Sequence, residues 1–365
     1  MTAGAAAPLQ VYESFSGAEA SHAMLSAAYQ RAADAAPDEV SASYFVFAGV
    51  PARIRVVGRR LADEFLCAFQ HLRHKTEPTS VPQLTIDLWD EAATGVPCLG
   101  SLPPEMPGRP EYAAESPDGR YIVHQVARTR TCIDRKRQHV VGWVGAPESL
   151  THFQRGRPIQ PMLMRWHLDR GVQPLHAGLV ARGERGALIC GASGSGKSSV
   201  SLHCFQAGLS YLADDCVGLM GDSSEFTGHS LFCSANVTPD HLHRFDGLSR
   251  YAISGRTPVE DKSLLFLADI APGRFTPEAK IVAMLLPRVV PVSQVELRPA
   301  SKREALLRIA PSTLSWVPEP AARKVAFERL SRLADSVPRY WVDLGGDTRN
   351  LPGLVDGLLS SELSG

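Results

Sequence analysis

No apolar run in this chain comes near the ~20 residues that a membrane-spanning helix requires; the longest, such as Ile281 to Leu286, are far shorter. An excess of charge is missing as well, because 38 Lys and Arg balance 38 Asp and Glu. Nucleic acid or an anionic membrane therefore meets no global attraction, and any site for a polyanion has to be local. The seven cysteines (Cys67, Cys98, Cys132, Cys190, Cys204, Cys216 and Cys233) contain no C-x-x-C pair. An odd, scattered set of this kind argues against a disulfide framework or metal knuckle and for small buried hydrophobes in a reducing compartment. The amino terminus, MTAGAAAPLQVYESF, has neither the basic start nor the apolar core of a secretion signal. The expectation is a cytoplasmic protein with no membrane and no nucleic-acid partner.

What is present is ordinary globular composition, 44% apolar and 21% charged over 365 residues, a length that suggests two domains. Residues 1–38 are rich in Ala, Ser and Glu and read as an extension with one helical stretch, Ala18 to Ala35, which is expected to be loosely attached. Residues 39–155 read as a small α+β domain: strands at Tyr44–Phe47 and Ile54–Val57, a helix from Arg60 to His74, a strand at Leu84–Leu88, and a hairpin with Arg120–Val126 and Val140–Val144 as arms. Segment 118–138 holds six Arg and Lys against two Asp. It reads as a solvated basic hairpin, or as a docking surface for an acidic peptide or protein substrate. A helix near Met162–Leu168 joins this domain to a second, 156–365.

The second domain carries the chemistry. Gly191 to Ser198 read GASGSGKS, which fits G-x-x-x-x-G-K-[ST] without a mismatch. Apolar runs at Leu175–Ala181 and Ala187–Cys190 flank the turn Arg182–Gly186, so an antiparallel hairpin should feed the loop and give a mixed sheet rather than an all-parallel one. The glycines let successive backbone N–H groups aim at phosphate oxygens, and a helix beginning at Lys197 adds its positive end. The nucleotide-binding set is thus Gly191, Ala192, Ser193, Gly194, Ser195, Gly196, Lys197, Ser198 and Ser199, with Lys197 on the β and γ phosphates and Ser198 on Mg²⁺. After the helix, Gly208 and a strand Leu209–Ala213 end in Asp214–Asp215, only 17 and 18 residues beyond Lys197. Phosphoryl transfer to a hydroxyl wants one acid near the acceptor and one near the metal, and this pair can supply both. His176, on the hairpin, is a further candidate, orienting the base if it reaches the Asp pair. Arg250, Arg256 and Lys262 lie in a stretch suited to close over the site and are candidates to stabilise the transferring phosphoryl charge.

The residues His176-Ala-Gly178, the hairpin, the Gly191–Ser198 loop and Gly208–Asp215 together resemble the catalytic core of HPr kinase/phosphorylase, within the group sharing a phosphoenolpyruvate carboxykinase-like fold. The likeness covers about forty residues. It implies an α/β catalytic domain and an ATP- and Mg²⁺-dependent serine kinase, in which Asp214 is the general base, His176 its partner and Asp215 the Mg²⁺ or acceptor-positioning group. The Glu-Ile-Arg signature that follows the Asp pair in the full enzymes has no clear counterpart. The remainder is more similar to the related kinases of lasso peptide and other ribosomal peptide (RiPP) biosynthesis, which phosphorylate a precursor peptide. Two other readings stay open: a kinase for a small molecule such as free serine, and a nucleotide-dependent switch with slow ATPase activity. The acceptor, the donor nucleotide and a homo-oligomeric state are not legible in the residues.

Overall fold

The computed structural model describes residues 13–78, 80–98, 111–221, 225–245, 247–255, 262–317 and 319–361. The chain divides into two compact units, one ending at Asp169 and one beginning at Arg170.

The first unit is a nine-stranded mixed sheet covered on both faces. Its main strands are β1 (Val40–Phe47), β2 (Val50–Val57), β3 (Leu84–Asp90), β4 (Glu111–Glu115), β5 (Tyr121–Val126), β6 (Thr129–Asp134) and β7 (His139–Val144). The spatial order is β4-β5-β6-β7-β3-β2-β1, with two-residue strands at each edge. Side-chain alternation decides what each face buries. On central β3, Trp89 packs with Val57, Val123 and Val141 beneath helix α1 (Ala18–Ala35). Phe45 and Phe47 of β1, two residues apart, point the other way, stack on each other and meet Phe69 edge-on. Helix α1 is therefore part of this unit rather than a loose extension. Its small residues Ala28 and Ala32, together with Leu25 and Tyr29, let it lie flat on the sheet. The helix expected over 60–74 is α2 (Arg59–Leu66) followed by 3-10 turns to Leu72. The division also falls later than the expected 155, because α3 (Gln160–Asp169) buries Met162 to Trp166 and ties Arg165 and Asp169 into the charges of this unit.

The basic segment differs from its expected form. The arms at 120–126 and 140–144 are strands but not partners, since β6 runs between them and pairs with both. Several of the segment's charges meet acids of the same unit. Arg120 forks onto Asp134 at 3.0 and 2.7 Å, Arg135 onto Asp169 at 2.7 and 2.6 Å, and Arg128 and Arg137 approach Glu91 and Asp134. Arg130 is buried and donates to Gln125.

The second unit is an α/β sandwich of three layers. Strands β8 (Gln173–Leu175), β9 (Ala177–Arg182), β10 (Arg185–Cys190), β11 (Ser210–Ala213), β12 (Val217–Met220), β13 (Thr227–Ser230), β14 (Glu278–Val289), β15 (Glu296–Pro299) and β16 (Arg339–Leu344) form one mixed sheet. At its centre β10, β14 and β16 are parallel, while β9 is antiparallel to both β10 and β11. Ala187 and Ile189 face helices α4 (Lys197–Gln206) and α7 (Leu351–Ser360) with Val200, Cys204 and Val355. Leu188 and Cys190 face the opposite side, toward α5 (Lys302–Leu314) and α6 (Pro320–Ser336) with Ile309, Leu330 and Leu333. No helix among the described residues is long and apolar enough to cross a membrane.

Asp134 gives this architecture a pH signature. It is fully buried, which raises its carboxyl pKa, but the Arg120 fork and the backbone N–H of Arg137 outweigh burial and hold it at about 2. A carboxylate depressed below its unfolded value of about 3.9 contributes stability above that value and loses it as the pH falls toward 2. Asp134→Asn is expected to lower the stability of the first unit by about 1–3 kcal/mol at neutral pH, with the gap to wild type closing between about pH 4 and 2; paired thermal melts across that range check it.

Candidate phosphate-binding and acid–base site

Three chain segments converge on one end of the second unit's sheet. The hairpin register pairs Ala177 with Cys190, so His176, just before β9, lies beside the start of the loop that follows β10. On its other edge β9 pairs with β11, Leu179 opposite Ala213, which delivers Asp214 and Asp215 to the same end. Two carboxylates, a histidine and the glycine-rich loop are therefore brought together by strand register alone.

In the loop, Ala192, Ser193 and Gly194 are exposed, while Lys197 is 5% exposed and its Nζ donates to the carbonyls of Gly191 at 2.9 Å and Ala192 at 3.2 Å. Gly196 is the N-cap of α4 with φ +105°, and a Cβ there would sit 2.3 Å from Leu344. Only glycine meets both demands. No side chain caps the helix, so its first N–H groups face the loop's interior, an arrangement suited to an anion. The hydroxyl of Ser195 is buried there without a hydrogen-bond partner. Ser199 occupies the first turn of α4, partly buried.

The acidic pair splits. Asp214 turns toward α4, where Ser198 Oγ donates to its Oδ2 at 2.8 Å. Asp215 turns toward the hairpin, its Oδ1 3.4 Å from His176 Nε2. The resemblance pairs His176 with Asp214 and Ser198 with Asp215; in the structure the contacts are His176 with Asp215 and Ser198 with Asp214. The reason is backbone geometry, since consecutive residues leaving a strand point to opposite sides. Burial first, and then the neighbouring charge of Asp215, push the Asp214 carboxyl well above the usual carboxylate range, against the opposing pull of Ser198 and Lys197. Its Oδ1 has no hydrogen-bond partner of normal geometry, although the Asn236 N–H faces the group. Among the described residues no three His, Cys, Asp or Glu side chains form a metal-ligand set. A hard divalent cation fits here as Mg²⁺ commonly binds, through a hydroxyl and one or two carboxylates completed by phosphate oxygens.

Arg250 is exposed and lies over its own neighbour Tyr251. Lys262 is half-buried at the start of the ribbon of Ser263–Phe266 with Ser234–Val237. Arg256 lies outside the described residues. Two neighbours were not legible in the sequence. Thr313 of α5 accepts the His176 backbone N–H on its hydroxyl at 3.2 Å, and the Trp316 ring lies 5.3 Å from the His176 ring, centroid to centroid. Their only sequence signal is a hydroxyl and an aromatic three residues apart at a helix end.

No family model matches the chain. No curated protein matches it either. Among solved structures, the HPr(Ser) kinase/phosphatase of Coxiella burnetii is similar over 51% of this chain and 93% of that one, at 13% identity and a TM-score of 0.27.

Gly178 sets the spacing of the whole site. A Cβ on it would lie 2.8 Å from Ser201 Oγ and 3.3–3.4 Å from the carbonyl oxygens of Asp214 and Ala213. Gly178→Val is expected to push α4 and the Asp214 strand off β9 at a cost of about 1–3 kcal/mol; chemical denaturation of the variant measures it.

Proposed function

We propose that this protein is a nucleoside triphosphate-dependent phosphotransferase acting on a hydroxyl acceptor. The observation that carries this reading is the divided acidic pair: one carboxylate bonded to the hydroxyl after the loop lysine, the other beside a histidine, both at the mouth of a loop with a phosphate-binding pattern. A protein that only switches shape with its nucleotide needs the first of these and has no use for the second.

The parts divide as follows. Backbone N–H groups of 191–197 and the end of α4 cradle the phosphates, and Lys197 exchanges its loop carbonyls for phosphate oxygens. Ser198 and Asp214 would hold Mg²⁺, which, when bound, neutralises charge on the β and γ phosphates. Asp215, oriented by His176, takes the proton of the acceptor hydroxyl as its oxygen bonds to the γ phosphorus and the bond to the β–γ bridging oxygen breaks. The products are the phosphate monoester and the nucleoside diphosphate. The resemblance in the sequence supports ATP as donor and a seryl hydroxyl of a peptide or small protein as acceptor, with lasso or other ribosomal precursor peptides the favoured class. The first unit is then the natural candidate for holding that substrate.

Mass spectrometry of the full chain with ATP, Mg²⁺ and seryl peptides or free serine tests the reading. A gain of one phosphate on the acceptor, abolished by Lys197→Ala, is expected; ATP turnover with no phosphorylated acceptor would return the protein to the switch class. The two acids should fail differently. Asp215→Asn is expected to lower kcat by ~10²–10⁴ at saturating Mg²⁺. Asp214→Asn should chiefly raise the Mg²⁺ concentration needed for half-maximal rate. A Mg²⁺ titration of each variant separates the roles, and the reversed pattern would exchange them.

A further inference from the structure

His176 needs more than Asp215 to define it. A single approach of 3.4 Å between Nε2 and Oδ1 is loose, and an imidazole on two rotatable bonds keeps several orientations within reach of one partner. The structure supplies the remaining constraint from the end of α5. There the hydroxyl of Thr313, fully buried, fixes the backbone of His176. One turn on, the chain winds tightly past Ser315, whose hydroxyl donates to Ser312 O at 2.7 Å, and the backbone N–H of Trp316 donates to Thr313 O at 3.1 Å. This winding lays the indole along His176 at a ring tilt of 34°. Trp316 is 4% exposed, so the plate against which the imidazole rests is itself immobile.

We infer that Trp316 is a positioning residue for phosphoryl transfer, holding His176 in the orientation from which it can direct Asp215 at the acceptor hydroxyl. The inference rests on the phosphotransfer reading above. Physically, the indole covers one face of the imidazole and leaves Nε2 aimed at Asp215, removing the swing about the side-chain torsions that Asp215 alone would permit. A misplacement of the order of an ångström in such a group costs about a hundredfold in rate.

The test is a double-mutant cycle on the full chain, using turnover of ATP with Mg²⁺ in the presence of free serine or a short seryl peptide. Trp316→Leu is expected to lower kcat about tenfold to a hundredfold with the KM for ATP within about twofold, and Trp316→Phe to restore most of the rate. In a His176→Asn background Trp316→Leu should add less than about twofold, because the residue through which Trp316 acts is already gone. An equal loss in both backgrounds, or a Phe variant as impaired as the Leu variant, overturns the inference. A second readout needs no turnover. The His176 ring protons should resonate at positions displaced by the ring current of the neighbouring aromatic side chain, indole in wild type and, more weakly, phenyl in Trp316→Phe, and lose that displacement in Trp316→Leu. An unmoved resonance overturns the positioning role alone; a wild-type protein that turns over no ATP overturns the phosphotransfer reading, and the inference with it.

Discussion

The register of one short strand governs the second unit. β9 is hydrogen-bonded on both edges to strands of opposite direction, to β10 through six consecutive pairs and to β11 with a shift between Leu179 and Val180. Because side chains alternate with a period of two, a slip of one residue on either edge would carry His176 and Gly178 to the wrong faces and separate the loop from the acids. Nothing else fixes those distances so economically. The packing of β9 on α4 depends on Gly178 having no side chain, and the core on either face of β10 depends on the alternation of Ala187 and Ile189 with Leu188 and Cys190.

Adjacency in sequence and adjacency in chemistry are different things at Asp214 and Asp215. Two neighbouring carboxylates at a strand end repel each other, and a design for stability alone would separate or replace them. Here one is 2% exposed and bonded to Ser198 while the other faces His176 and remains partly open to solvent. The pair is tolerated because each member finds a different partner. That division gives two acids two environments, which is how a single site separates the holding of a cation from the taking of a proton.

Much of this was legible from the chain. The loop is identified by its own glycines and lysine, whose spacing reflects a backbone requirement. The hairpin is readable because two apolar runs bracket a Gly-containing turn, and β11 because Gly208 stops the helix before it. The unread parts depend on contacts between distant segments. Whether α1 is an extension or a covering layer is decided by Trp89 and Val141, more than fifty residues beyond it. A run of arginines looks like a free basic surface until Asp169 and Glu91 are seen to answer two of them from helices elsewhere in the unit. Which aspartate faces the histidine is set by the direction in which the chain leaves β11, and no residue type encodes that direction.

Trp316 shows the same limit most sharply. By composition it is an aromatic residue just past a helix, and a core role would account for it. Its buried position is indeed that of a core residue. What sets it apart is the object it packs against, since a tryptophan on aliphatic neighbours contributes area, whereas one laid on a titratable ring beside a carboxylate restricts an orientation. A buried side chain just past α5 therefore meets a chemical group, and its burial and the orientation of the acid–base pair rest on the same contact. A substitution at Trp316 acts on both, and only the dependence of its effect on His176 separates one from the other.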